Sequence, residues 1–233
     1  MNPQPLTIAQ MREVEQRAEA AGLSAQQMMT HAGTNAAKII FEHLPAMEAD
    51  KPTRVLFLCG PGHNGGDGLV AVGALHALAT AANRELTLQV YLLKPRSEDD
   101  TLFTNLQDLG FLMADAGNDL QRRVFKLMLR NADVIVDALL GIGTARPIDG
   151  DLRAILRAVA EKRAEKRELP AGERPLLIAL DGVTGMNFDT GALDPAAVPA
   201  DVTITFHAPK LGHTLGPAQA ASGEVVVVGI GVV

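Results

Sequence analysis

Tryptophan is absent from this sequence, and the 233 residues hold only seven Phe and one Tyr. The core must therefore be built from Leu, Val, Ile, Ala and Met, and with 47% apolar residues there are enough of them for a sizeable one. Cysteine is nearly absent as well. A single Cys59 cannot form an internal disulfide, so a reducing, cytoplasmic setting is expected. Positive charge is in deficit, with a formal net charge of −6 and no basic cluster, which argues against nucleic acid as a partner. The longest uncharged apolar stretch, Gly68 to Ala82, is shorter than the roughly 18 residues a membrane span needs, so no membrane association is expected. Met1 to Gln10 shows no basic region followed by an apolar run, so no signal peptide is expected.

What is present is a pattern of punctuated apolar runs. Thr7-Ile-Ala-Gln10 and Ser24-Ala-Gln-Gln27 are capping boxes that open helices over Ile8–Ala21 and Ala25–Leu44. They precede any strand and read as a helical arm (1–50) on a sheet core (51–233), all one domain. Arg54–Cys59 is a continuous apolar run, as suits a strand buried on both faces. Further strands are expected at Leu86–Leu93, Phe111–Ala114, Asp133–Asp137, Leu176–Leu180, Val202–Phe206 and Glu224–Val228. Helices between them are expected near Gly66–Ala82, from Ser97 with Leu102, Phe103, Leu106 and Leu109 inward, over Leu120–Leu129, and over Asp151–Glu168. Alternation of this kind gives an α/β fold with a mostly parallel sheet and helices on both faces.

Ligands of such sheets bind beyond the carboxyl ends of the strands. Four exits carry polar groups: residues 60–67, Asp137 with the loop through Pro147, Asp181 with Thr184, and His207 with Lys210. Gly60-Pro-Gly-His-Asn-Gly65 fits the G-x-G-x-x-G spacing for a phosphate at a helix start. Two features oppose a dehydrogenase reading. The next strand ends in Leu93-Lys-Pro without an acid for the ribose, and Asp67 would repel a pyrophosphate. Asp137 and Asp181 together at one sheet edge indicate a site, in which one carboxylate holds a cation and the other moves protons. Asn64 and Thr184 add neutral oxygens that suit a hard, weakly charged cation. His63 is an alternative acid or base, although a loop histidine more often only hydrogen-bonds its neighbours. Cys59 reads as core. Arg146 and Lys210 each read equally as a phosphate contact or a surface residue.

The segment Gly60-Pro-Gly-His-Asn-Gly-Gly-Asp-Gly-Leu69 resembles the GPGNNGGDGL signature of the NAD(P)H-hydrate epimerases, the YjeF N-terminal domain family. Asp137 to Pro147 is similar to the family's DALLGTG…RP segment, residues 181–185 to its D-I-P-S-G turn, and Met28 to Gly33 to its LMENAG helix. The resemblance extends over nearly the whole chain. It implies a three-layer αβα sandwich, often dimeric, and interconversion of the R and S hydrates of NADH and NADPH at a potassium-containing site. It implies substrate contacts at His63, Asn64, Gly65, Gly66, Asp67, Gly141, Ile142, Gly143, Thr144, Ala145, Arg146, Pro147 and Asp181. The potassium ligands it implies are Asn64, Asp137 and Thr184, with Asp181 as the proton-carrying residue. The dehydratase domain of some homologues is not expected here. The departures are His63 for Asn, Gly182-Val183 for Ile-Pro, Thr184 for Ser, and Thr30-His31 for Glu-Asn. A non-catalytic scaffold on this fold, as in the RNA-decapping enhancer proteins that resemble it, and a nucleotide-dependent enzyme with another substrate are the competing readings.

Overall fold

The computed structural model describes residues 3–46, 51–142, 147–165 and 174–232. Seven strands form one sheet in which every neighbouring pair is parallel: β1 (Thr53–Cys59), β2 (Leu86–Leu92), β3 (Leu112–Asp115), β4 (Val134–Ala138), β5 (Leu176–Leu180), β6 (Val202–Phe206) and β7 (Glu224–Val228). The strand order is β3-β2-β1-β4-β5-β6-β7. Chain order reverses between β1 and β4, so their exits diverge into a crevice.

Helices cover both faces, making the three-layer sandwich. On one face, α1 (Ile8–Ala20), α2 (Ala25–Glu42), α3 (His63–Ala81) and α4 (Thr101–Asp108) share a core with Val55, Phe57, Val136 and Leu180. On the other, α5 (Arg123–Asn131), α6 (Gly150–Glu165) and α7 (Gly216–Ala221) pack on Leu56, Leu58, Ile135 and Leu177. Successive residues of one strand enter opposite cores, which is why central strand β5 and residues 55–59 of β1 are continuously apolar.

Both capping boxes are present, with Thr7 accepting from the Gln10 backbone and Ser24 from that of Gln27. Helix α3 begins at His63, earlier than Gly66, because Gly62 is its N-cap and the glycine run is accommodated inside the helix. Helix α4 begins at Thr101, later than Ser97, because Asp100 caps it by accepting from the Leu102 and Phe103 backbones. Leu106 is the buried residue of α4, whereas Leu109 is 60% exposed at its C-cap, outside the inward face expected of it. Residues 120–122 form a 3-10 turn before α5, with Gln121 and Arg122 at positive φ.

Candidate functional site

Several glycines of the β1 exit are needed for close packing. A Cβ on Gly60 would lie 1.8 Å from the Leu139 carbonyl oxygen, and one on Gly65 would lie 1.8 Å from that of Gly60. A Cβ on Gly68 would meet Ala138 and Cys59 at under 3 Å. The run thus lets α3 press onto the β1 and β4 exits. Gly62 has no atom within 4 Å of such a Cβ and faces open space.

Asp137 ends β4 and is buried. Its Oδ1 accepts from the Thr184 hydroxyl at 2.7 Å and the Leu139 N–H at 3.1 Å, and its Oδ2 accepts from the Thr184 N–H at 3.0 Å. Burial outweighs these three donors and pushes its carboxyl up. The Thr184 hydroxyl also accepts from the Leu140 N–H at 3.1 Å, so it ties the β4 and β5 exits together.

Asn64 stands in the first turn of α3. Its Nδ2 donates to the Leu180 carbonyl at 3.1 Å, which fixes the orientation of the amide. Its Oδ1 is buried without a hydrogen-bond partner. Gly141 touches Asn64 on one side and lies within 3.5 Å of Asp181 Oδ2, measured from the Cβ it lacks, on the other. The orphaned Asn64 amide oxygen, the Asp137 carboxylate and the Thr184 hydroxyl are oxygen donors of the kind that suits a hard, weakly charged cation. Among the described residues, no cluster of three or more His, Cys, Asp or Glu side chains could hold a metal ion.

Asp181 follows β5 with φ 66°, a conformation that costs a non-glycine residue energy and that recurs at functional sites. Its N–H donates to the Ile204 carbonyl at 2.7 Å. Lys210, expected either at a phosphate or at the surface, is not at the surface. It is 1% exposed, and its Nζ donates to Asp181 Oδ1 at 2.5 Å, the Thr205 hydroxyl at 3.0 Å and the Phe206 carbonyl at 3.1 Å. One carboxylate is thus neutralised by a buried ammonium, and the other is held by neutral donors.

Asn64, Gly141, Asp181 and Lys210 line a cleft of 1060 Å³ at the β1/β4 crevice, just above the roughly 300–1,000 Å³ usual for small-molecule sites. Its walls include Met11 and Glu15 of α1, Met28 of α2, Gly62 to Asn64, Asp67, Arg96, and Leu139 to Ile142. Arg96 closes one side, donating to the Gly60 carbonyl at 2.9 Å and pairing with Asp100 at 2.6 Å.

The structure gathers most of the expected residues here. Asn64, Gly66, Asp67, Gly141, Ile142 and Asp181 line the cleft, with His63 exposed at its rim. Gly65 is buried beneath it against Gly60. Asp137 and Thr184 lie behind the lining. Pro147 is exposed and does not line the cleft. Gly143, Thr144, Ala145 and Arg146 lie outside the described residues. Sequence reasoning missed Glu15 and Arg96, and it named Lys210 without finding its partner Asp181. The position of Lys210 on the fourth strand exit was the available signal.

Fold and site together define a doubly wound α/β protein with a nucleotide-sized cleft at its topological switch point. The chain belongs to the family described as YjeF-related protein N-terminus, whose model matches residues 25–212. It is 33% identical over 236 residues to a protein of Rhodopirellula baltica named NAD(P)H-hydrate epimerase, covering 98% of this chain and 84% of that protein. It is 29% identical over 228 residues to one so named from Limosilactobacillus fermentum, covering 97% of each. The bifunctional NAD(P)H-hydrate repair enzyme Nnr of Thermofilum pendens matches at 29% over 95% of this chain, which spans 40% of that longer protein. The crystal structure of yeast ynu0 shares the fold, with a TM-score of 0.75, 21% identity, and coverage of 91% of this chain and 84% of that one.

Proposed function

We propose that the chain is an isomerase that interconverts the R and S hydrates of NADH and NADPH, an epimerase of nicotinamide nucleotide repair. Relatives named for that activity, aligned over nearly the whole chain, support the reading. The observation that carries it is the Asp181–Lys210 pair at the floor of a cleft large enough for a nucleotide.

The hydrated ring carries a hydroxyl on a carbon beside a nitrogen lone pair. Loss of that hydroxyl as water, driven by the lone pair, leaves a planar iminium-like carbon. Water then adds to either face, and both epimers result. Addition needs a group to take the proton of the incoming water. Asp181 suits this role, with Oδ1 held by Lys210 and Oδ2 toward Gly141 in the lining of the cleft. Residues 62–67 form one wall for the substrate, and Gly141 and Ile142 another.

Asn64, Asp137 and Thr184 would hold the potassium ion. When bound, it supplies a fixed positive charge that offsets the buried Asp137 carboxylate. A cytoplasmic setting belongs to the same reading. Cys59 is buried in β1, where burial pushes its thiol up to about 12, which suits an inert core residue. A homodimer is supported by the exposed Leu109 and Leu112 just before and within edge strand β3.

The test is epimerisation of mixed NADH and NADPH hydrates, with and without potassium, by the full chain and by Asp181→Asn. Acceleration is expected for the full chain, with a loss of about 10²- to 10⁴-fold in the variant. No acceleration under either condition overturns the reading, and a near-normal rate in the variant removes Asp181 from the chemistry.

A further inference from the structure

The ion pair creates a need that Asp181 cannot meet alone. A carboxylate in contact with an ammonium can take a proton but has none to give at rest. The hydroxyl, however, has to leave its ring carbon as water, which calls for an acid. A second carboxyl lines the same cleft. Asp67, in the second turn of α3, is 9% exposed and lines the same cavity. Among the described residues it accepts no hydrogen bond and makes no ion pair. The neighbouring buried carboxyls differ, since Asp137 accepts three hydrogen bonds and Asp181 has its ammonium. Desolvation without partners disfavours the anion, so such a group keeps its proton. Most of the groups around it act in the same direction. Burial and then the Asp181 charge push the Asp67 carboxyl well above its usual range, Lys210 opposes this, and Glu15 of α1 adds to it. Glu15 itself is pushed up by burial and by Asp181, while Lys210, His63 and Arg12 pull it down.

We propose that Asp67 is the general acid of this site and protonates the departing hydroxyl of the hydrated ring, while Asp181 acts as the base. The proposal rests on the epimerase reading. In the first half, the Asp67 proton bonds to the hydroxyl oxygen. The carbon–oxygen bond breaks with its electrons leaving on water, and the ring nitrogen lone pair forms the carbon–nitrogen double bond. In the second half, a water oxygen bonds the ring carbon, the double-bond pair returns to nitrogen, and the water's proton passes to Asp181. Exchange with solvent restores both carboxyls, and nothing is oxidised or reduced. Two carboxyls in opposed environments, one kept neutral and one kept charged, are how one site supplies acid and base at the same pH.

The experiment compares the full chain with Asp67→Asn, which keeps the shape of the neutral acid but has no proton to give. Three quantities are read: the epimerisation rate, its pH profile, and the infrared carbonyl stretch of protonated carboxyls at neutral pH. The expected result is a kcat lower by about 10²-fold or more with KM little changed. The wild-type rate should fall as pH rises and Asp67 loses its proton, and this limb should vanish in the variant, together with one protonated-carboxyl band. A variant within a few-fold of wild type, or one that retains the alkaline limb, overturns the acid role and leaves the epimerase reading standing. A wild-type chain that shows the band but does not accelerate epimerisation overturns the epimerase reading, and the acid role with it. Loss of rate without loss of the band assigns Asp67 to binding and overturns the proposal.

Discussion

Lys210 and Asp181 are 29 residues apart in sequence and meet at 2.5 Å, with side chains only 1% and 9% exposed. The ammonium has three oxygen partners, so the cost of burying it is met by a complete hydrogen-bond set. Removing either charge leaves the other without compensation. Lys210→Met should therefore cost about 3–5 kcal/mol, seen as a lower urea midpoint at an unchanged slope. The double variant Lys210→Met/Asp181→Asn should recover most of that loss. A single variant within about 1 kcal/mol of wild type would show that the pair is not closed in solution.

This pair also marks how far the sequence could be read. The strands were legible because each is a short run dominated by apolar residues, and the two opening helices because Thr7 with Gln10 and Ser24 with Gln27 are local signals. The placement of Asp137 and Asp181 at one sheet edge was legible because each follows an apolar strand run, and the structure sets β4 beside β5. The burial of Lys210 against Asp181 was not legible. A lysine after a strand is ordinarily solvated, and what buries this one is the position of the β5 exit, a long-range fact. The start of α3 was misjudged for a related reason. Glycines at 65, 66 and 68 weaken a helix locally, but here they are held by packing against Gly60, Met29 and Ala138.

The glycines of the turn divide into two kinds. Gly60→Ala would drive a methyl into the Leu139 carbonyl, a backbone atom that cannot step aside, and should cost about 3 kcal/mol or more. Gly62→Ala meets nothing within 4 Å and has φ −89°, so it should cost about 1 kcal/mol or less, the ordinary penalty of alanine at an N-cap. Thermal unfolding of the two variants checks this. Because Gly62 lines the cleft, its variant should instead weaken substrate binding, raising KM.

Thr184 holds Asp137 through both its hydroxyl and its N–H. Thr184→Ser keeps the hydroxyl and should be near-neutral. Thr184→Val leaves a buried carboxylate oxygen and the Leu140 N–H each short of a partner, at about 1–3 kcal/mol. If Thr184 also ligates potassium, exchanging NaCl for KCl should raise the melting temperature of wild type and of Thr184→Ser by mass action, but not that of Thr184→Val. Equal responses in all three would remove Thr184 from the cation site.

His213 sets the acid limit of the fold around Lys210. Its Nδ1 accepts from the Lys210 N–H at 2.9 Å, and its ring lies edge-on to Phe188 at 5.8 Å. Its Nε2 is buried without a partner. Burial is the main cause that pushes it down to about 4 from its ordinary 6.5. Between those two values the unfolded chain binds a proton that the folded chain refuses. Stability should therefore be complete above pH 6.5 and fall as pH drops toward 4, by about 3 kcal/mol over that window. His213→Asn offers an oxygen to the same N–H and cannot titrate in this range. It should be less stable than wild type at pH 8, having lost the ring contact with Phe188, yet its urea midpoint should drop less between pH 6.5 and 4. Parallel losses in the two proteins across that window would assign the acid sensitivity to other groups.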